Sequence, residues 1–354
     1  MSRIKLDPHS EAILREYREN LPVFEKLRTT VPERIRTVFD ETGIVVASIE
    51  SRIKTEGSLA GKLELKGNKY ASLADITDIF GVRIITFYTD DVDKVASVVE
   101  RLFDVDWENS VDKRKLHEID SFGYMSLHYI CRVPDCPYRF EIQMRTILQH
   151  AWANMNHDTG YKSGVEVPRE YLRNMNRLAG MLELVDEQFS FIRTSLNDYR
   201  RKVQSLVASG RLEEVTLDGD SFRSYLQLAP FDVLNRRIAS VNQAEIQEVS
   251  LMPYLAVLKA LGFQTLGDVN QLILRYSDAA YQIACYQISM TDLDILASSV
   301  GPQNLCIAYL LKQGSGRAGI RLMLDTLNGP SEGNEMMAEL IVEQAQDLSF
   351  MHTK

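Results

Sequence analysis

The chain is 354 residues long, 45% hydrophobic and 25% charged, a soluble globular balance that excludes a disordered, collagenous or wholly coiled-coil protein at a length suggesting two or more domains. Forty Lys and Arg stand against forty-nine Asp and Glu, a net charge of −9, which argues against coating of long duplexes by counterion release and leaves room for a local basic pocket. No stretch has the apolar length to cross a bilayer, and Cys131, Cys136, Cys285 and Cys306 are too sparse for a disulfide frame or zinc cage, so a cytoplasmic protein with buried thiols and no membrane partner is expected.

Residues 11–40 carry Ile13, Leu14, Tyr17, Leu21 and Phe24 three or four apart, a helical stripe, and Pro32 stands where a second helix would begin. A β-branched run predicts a strand over 44–49, followed by Arg52, Ile53 and Lys54 and by a helix start at Gly57 and Ser58 that leads to Lys62 and Lys66. Residues 81–88 predict a strand, 91–103 an amphipathic helix and 105–111 a returning strand, a βαβ-like unit. Residues 125–133 and 138–146 alternate polar and apolar across P-D-C-P at 134–137, the pattern of an antiparallel hairpin, so the sheet is mixed. A helix over 148–159 breaks at Gly160, and a long one over 169–207 carries Leu172, Met175, Leu178, Leu182 and Val185 on one stripe. Ser-Gly and Gly-Asp pairs over 209–220 mark a linker, and 222–354 reads as short helices with Leu255, Leu258, Leu261, Val269, Leu272, Leu274, Leu310 and Leu311 in their core. The fold class is α+β: N-terminal helices over 1–43, a mixed-sheet domain with a trailing long helix over 44–208, and a helical domain over 209–354.

Period two places Glu141, Gln143 and Arg145 on one face of their strand, and Tyr124, Ser126 and His128 on one face of its partner. Such groups buried without partners cost ~1–3 kcal/mol each. A ligand surface therefore accounts for them better than a core, an ordinary solvated sheet face being the alternative. Asp78 stands just before the strand that holds Arg83, and alone reads as a turn residue. Arg52, Lys54, Lys62 and Lys66 gather around the Gly57-Ser58 helix start, which suits phosphate, and Lys113, Arg114 and Lys115 form a second basic cluster near Tyr124. Each cluster alone reads equally as a solvated face. His150, Asn154, His157 and Tyr161 share a helix face, but no H-E-x-x-H or cysteine pair completes a zinc set, so hydrogen-bonding support for the sheet is their expected role. No P-loop, dinucleotide turn or nucleophile elbow occurs.

Taken in order, R-I-K at 52–54, Lys62, D-I-F-G-V-R at 78–83, K-R-K at 113–115, G-Y-M-S-L-H-Y at 123–129, E-I-Q-M-R-T at 141–146 and Q-H-A-W at 149–152, on through His157 to Tyr161 and Lys162, resemble the synthetase domain of RelA/SpoT-type alarmone synthetases. The resemblance spans about residues 44–164 and implies a nucleotidyltransferase-like sheet. It implies magnesium-dependent transfer of the β,γ-pyrophosphate of ATP to the ribose 3′-hydroxyl of GDP or GTP. On the matching positions, Arg52, Lys54, Lys62 and Arg83 are implied to hold the ATP, Asp78 to bind Mg2+, and Tyr124 to stack on the acceptor base. Glu141 is implied as metal partner or general base, with His128, Gln143 and Arg145 orienting groups around it; Ser58, Lys113, Arg114 and Ser126 are further nucleotide-binding candidates. Many members carry a cation and an Asn before the Gly-Tyr, whereas this chain has H-E-I-D-S-F at 117–122, and Asn156 stands where a Glu is frequent. A toxin-type relative acting on the 3′ end of tRNA is therefore the alternative, and a non-catalytic nucleotide-binding module a third reading, against which the retained Asp78 and Glu141 weigh. Only His9 lies in the N-terminal segment, so no hydrolase half is expected. Residues 209–354 are assigned to a homo-oligomer contact or a regulatory protein partner.

Overall fold

The computed structural model describes residues 6–66, 69–114, 126–156, 169–289, 291 and 293–352. Its first helix, α1 (Pro8–Thr42), starts where Asp7 accepts a hydrogen bond from the Ser10 amide and stops at Gly43, whose φ of 68° a residue with a side chain rarely adopts. It runs unbroken through Pro22 and Pro32, so the second helix expected at Pro32 is absent. Phe24, Leu27, Val31, Ile35 and Phe39 form one buried stripe in the core of the sheet domain, and that packing offsets the hydrogen bond each proline removes. At the helix end the Ile44 amide bonds back to Phe39, and the first strand begins later than the β-branched run suggested. It is β1 (Ser48–Ile53), which places Arg52 inside the strand rather than after it.

The chain continues through α2 (Glu56–Lys66), β2 (Phe80–Thr86), α3 (Thr89–Leu102), β3 (Asp104–Asp112), β4 (Leu127–Arg132) and β5 (Phe140–Thr146). The strands form one mixed sheet in the order β1-β2-β5-β4-β3, with β2 and β5 parallel and the other pairs antiparallel. The β4–β5 hairpin is as the alternation indicated. β2, α3 and β3 form a parallel crossover, yet β5 and β4 lie between its two strands.

Alternation divides the sheet into two faces. Phe80, Val82 and Ile84, with Phe140, Ile142 and Met144 and with Leu127, Tyr129 and Cys131, are buried in one core with α1 and α3. Glu50, Arg83, Gln143 and His128 are register neighbours across the opposite face, beside a second row of Arg52, Gly81 and Glu141.

Thr146 ends β5 and caps α4 (Ile147–Asn156) in a reciprocal box: the Gln149 amide donates to Thr146 Oγ1 at 3.1 Å and the Thr146 amide to Gln149 Oε1 at 3.0 Å. The Thr146 hydroxyl also donates to Asp186 of α5 (Arg169–Ala208). Burial pushes the Asp186 carboxyl up to about 6, although the Thr146 bond opposes the shift.

Compact units comprise Met1–Thr194 and Ser195–Lys354. The division falls within α5 rather than after residue 208, because Val203 and Val207 of its last turns are buried in the core of the second unit. Among the described residues that unit adds eight helices between Gly219 and His352 and a pair of three-residue parallel strands, β6 (Glu245–Gln247) and β7 (Ile295–Ala297), absent from the short-helix reading. Leu258, Val269, Leu272, Leu310 and Leu311 are buried and Leu255 and Leu261 partly so, but Leu274 is 68% exposed, since two residues beyond Leu272 a helix presents its opposite side. All four cysteines are free, Cys131 and Cys306 buried. No helix among the described residues is long and apolar enough to cross a membrane.

Two stability predictions follow from this packing. Phe140 is fully buried with Phe80 and Phe103 at ring-centroid distances of 5.5 Å, so Phe140→Ala should cost about 3–5 kcal/mol in denaturant unfolding; a loss below about 1 kcal/mol would contradict the packing. Asp186 has a folded-state pKa above its unfolded value, so its charge lowers stability as pH rises from about 4 through about 6. Asp186→Asn should therefore raise the melting temperature at pH 7.5, with little effect at a pH of about 4; the opposite pH trend would contradict the assignment.

Candidate active site

The turn after β1 is clamped from two sides: Tyr17 of α1 donates to the Lys54 carbonyl at 2.8 Å, and the Lys54 amide bonds to the Ile79 carbonyl at 2.7 Å. Thr55 then caps α2, its Oγ1 accepting from the Ser58 amide at 3.3 Å and lying 2.8 Å from Ser58 Oγ, so Ser58 sits in a helix cap. From these elements two ammonium groups converge on one carboxylate. Lys54 Nζ donates to Asp78 Oδ2 at 2.7 Å and Lys62 Nζ to Asp78 Oδ1 at 2.6 Å. Lys62 also stands 5.3 Å from the Tyr70 ring centroid. Burial pushes the Asp78 carboxyl up, but the bonds from Lys54 and Lys62 outweigh it and hold the group below the ordinary carboxylate range.

A second carboxylate is fixed by the hairpin. His128 Nδ1 lies 2.7 Å from Glu141 Oε1, Gln143 Nε2 donates to Glu141 Oε2 at 2.7 Å, and Ser126 Oγ lies 2.5 Å from His128 Nε2. Burial raises the Glu141 pKa, the His128 and Gln143 contacts lower it further than burial raises it, and the nearby charge of Asp78 opposes them; the net direction is down.

Both carboxylates line one cleft of about 190 Å3, together with Glu50, Arg52, Arg83 and Gln143 around Gly81. Arg83 Nε lies 3.4 Å from Gln143 Oε1. Lys54, Lys62, His128 and Ser126 reach the cleft residues through the hydrogen bonds above. Arg145 shares the face but is buried, and His150 of α4 stands near it: burial, Arg145 and Arg83 hold the imidazole below its ordinary pKa against the pull of Glu50. His150 Nε2 lies 2.8 Å from Asn154 Nδ2, a contact within α4 and not with the sheet.

The second basic cluster is elsewhere. The Arg114 guanidinium donates to Asp112 at 2.9 and 3.0 Å and to Asp93 at 2.8 Å, which raises its pKa, and the Lys113 amide bonds to the Ser126 carbonyl at 3.0 Å. Neither residue lines the cleft. Tyr124, Lys115, the 117–122 segment, His157, Tyr161 and Lys162 lie outside the described residues. Glu50 and Ser51 were missed in the sequence. The signal for Glu50 was the period-two spacing from Arg52, which becomes readable only once the strand is placed at Ser48–Ile53; Ser51, one residue from Arg52, had no such signal.

No group of three or more His, Cys, Asp or Glu side chains forms a metal cage among the described residues. Asp78 and Glu141 instead offer two hard-oxygen ligands on one cleft, a set that suits magnesium when substrate phosphates complete the coordination.

Residues 51–166 match the family model for the region found in RelA / SpoT proteins. The first unit carries a segment similar to the region found in RelA / SpoT proteins. Among its relatives, the GTP pyrophosphokinase YwaC of Bacillus subtilis is 24% identical over 201 residues, covering 53% of this chain and 95% of that protein. GTP pyrophosphokinase YjbM of the same organism is 26% identical over 201 residues, covering 54% and 92%. Of solved structures, small alarmone synthetase 2 from B. subtilis is 25% identical with a TM-score of 0.45, covering 51% of this chain and 99% of that one. Small alarmone synthetase 1 bound to its product pppGpp is 24% identical, also with a TM-score of 0.45, covering 54% and 100%. The RelA/SpoT segment opens inside β1 and takes in every cleft residue named above except Glu50.

Lys62→Met removes one of the two donors to Asp78. Carboxyl-detected NMR titration should then show the Asp78 pKa rising toward its ordinary value, and the stability that this depressed carboxyl contributes above a pH of about 4 should shrink. An unchanged Asp78 titration would contradict the ion cluster.

Proposed function

We propose that the RelA/SpoT domain transfers the β,γ-pyrophosphate of ATP to the ribose 3′-hydroxyl of GDP or GTP, making the alarmones ppGpp and pppGpp. The observation that carries this reading is the single cleft lined by Asp78 and Glu141 and flanked by Arg52 and Arg83, inside a segment shared with two GTP pyrophosphokinases. The acceptor 3′-oxygen attacks the β-phosphorus, the α,β-bridging bond breaks, and AMP leaves. Such a transfer depends on positioning and on neutralised charge more than on covalent help.

Arg52 and Arg83 bind and align the triphosphate, and Lys54 and Lys62 turn from Asp78 toward it as the nucleotide arrives. Glu141, kept ionised by His128 and Gln143, accepts the proton of the 3′-hydroxyl. Ser126 and Gln143 hold the imidazole and the carboxylate in register for that step. Magnesium, when bound by Asp78 and Glu141, supplies neutralisation of the phosphate charge. Tyr124 is proposed to stack on the acceptor base, as the resemblance implies.

Incubation with γ-labelled ATP, Mg2+ and GDP or GTP should give a labelled 3′-pyrophosphorylated guanosine nucleotide together with AMP. Glu141→Gln, which keeps the shape and removes the proton acceptor, should lower kcat by about 10²–10⁴. Label appearing in tRNA alone, or a Glu141→Gln enzyme with full turnover, would contradict this reading.

A further inference from the structure

The cleft holds a third carboxylate that the transfer does not use. Asp78 has two ammonium donors, and Glu141 has an imidazole and an amide. Glu50 lines the same cleft and is exposed, yet its carboxylate makes no hydrogen bond or ion pair among the described residues. Its charge is felt by His150 of α4, whose pKa it pulls up against Arg83 and Arg145. Among the described residues no three acidic or metal-ligating side chains form a cage, so Glu50 is not a third metal ligand beside Asp78 and Glu141.

Position along β1 decides which part of a nucleotide Glu50 meets. Arg52 stands two residues on, about 6.8 Å along the strand, and Lys54 follows it and reaches Asp78. The cations and Asp78 therefore mark the polyphosphate end of the cleft. Glu50 lies toward the other end, directly across from Arg83. An ionised carboxylate only accepts hydrogen bonds, whereas phosphate oxygens carry the same charge and have no proton to give. Glu50 is thus suited to an uncharged donor group of the nucleotide. In the proposed transfer the β-phosphorus lies near Asp78 and Glu141, and the first such group beyond the α-phosphate is the ribose, whose neighbouring hydroxyls can both donate to one carboxylate. An acidic side chain on a ribose 2′-hydroxyl is also how dinucleotide-binding folds read their sugar.

Resting on that reading of the cleft as an ATP site, we propose that Glu50 accepts hydrogen bonds from the ribose hydroxyls of the donor nucleotide and selects ribonucleotides over 2′-deoxyribonucleotides. Every residue of β1 is paired to β2, so the carboxylate is presented from a fixed strand rather than a loop. Arg83, its cross-strand neighbour, balances the negative charge that Glu50 brings close to the phosphates.

Equilibrium binding tests this without turnover. Titration calorimetry of the full chain with Mg2+ and α,β-methylene-ATP, or its 2′-deoxy form, should show the ribose form binding about tenfold more tightly. Glu50→Ala should bring that ratio close to one by weakening the ribose form. Glu50→Gln, which keeps one neutral acceptor, should give an intermediate ratio and decides the matter should the alanine variant fail to fold. A wild-type ratio of one, or a preference that both variants leave intact, would overturn the assignment while ATP binding stands. Equal loss of both forms in Glu50→Ala would make Glu50 a positioning residue for Arg83 and overturn it too. Wild-type protein that binds neither form would overturn the ATP reading itself, and this assignment with it.

Discussion

Alternation of side chains along β2 and β5 is the constraint on which the site depends. Phe80, Val82 and Ile84 on one strand, and Phe140, Ile142 and Met144 on the other, must all face the core, and a slip of one residue would exchange the two faces. With those six side chains buried, Arg83, Glu141 and Gln143 have only the opposite face to occupy. Ile49 and Ile53 do the same for β1 and bring Glu50 and Arg52 into the same two rows. The packing that stabilises the domain is therefore also what aims the polar cluster, and a loosened core would spoil the cleft before any cleft residue changed.

Two carboxylates facing one small cleft repel, and each here has its own compensation. Asp78 has an ammonium donor on each oxygen; Glu141 has an imidazole on one and an amide on the other. Both stay below the ordinary carboxylate range despite burial, and Glu141 despite the charge of Asp78 as well. The difference between the two shells bears on function. Lysines on flexible stems can leave Asp78 for a phosphate, whereas His128 and Gln143 are fixed by register on the strands that carry them. Helix α1 takes part at a distance, since the Tyr17 hydroxyl fixes the backbone of Lys54.

Much of this was legible in the sequence, for identifiable reasons. Period two in 138–146 set the hairpin and placed Glu141 with Gln143. The ordered motifs from Arg52 to Lys162 pointed to the family that the match over 51–166 supports. What escaped had competing physics. Pro32 reads as a helix start, yet a continuous buried stripe carries α1 through it. The run at 44–49 has the β-branched composition of a strand, but its first residue is used in closing a helix end, which moves the strand onto Arg52 and hides Glu50. Arg114 looked like a phosphate ligand because Asp93 and Asp112, its partners, come from α3 and β3 and become neighbours only through the crossover. In the second unit no motif marked the three-residue strands, whose pairing joins residues far apart in sequence.

The proposed function has Asp78 and Glu141 acting together on one divalent ion at the nucleotide phosphates. Its most direct test is a double-mutant cycle on Mn2+ binding in the presence of a non-hydrolysable ATP analogue, read by electron paramagnetic resonance for wild type, Asp78→Asn, Glu141→Gln and the pair. Shared coordination predicts that each single change loses most of the bound metal signal and that the second adds little to the first. Losses that simply add, or a Glu141→Gln protein that binds Mn2+ as wild type does, would contradict the account.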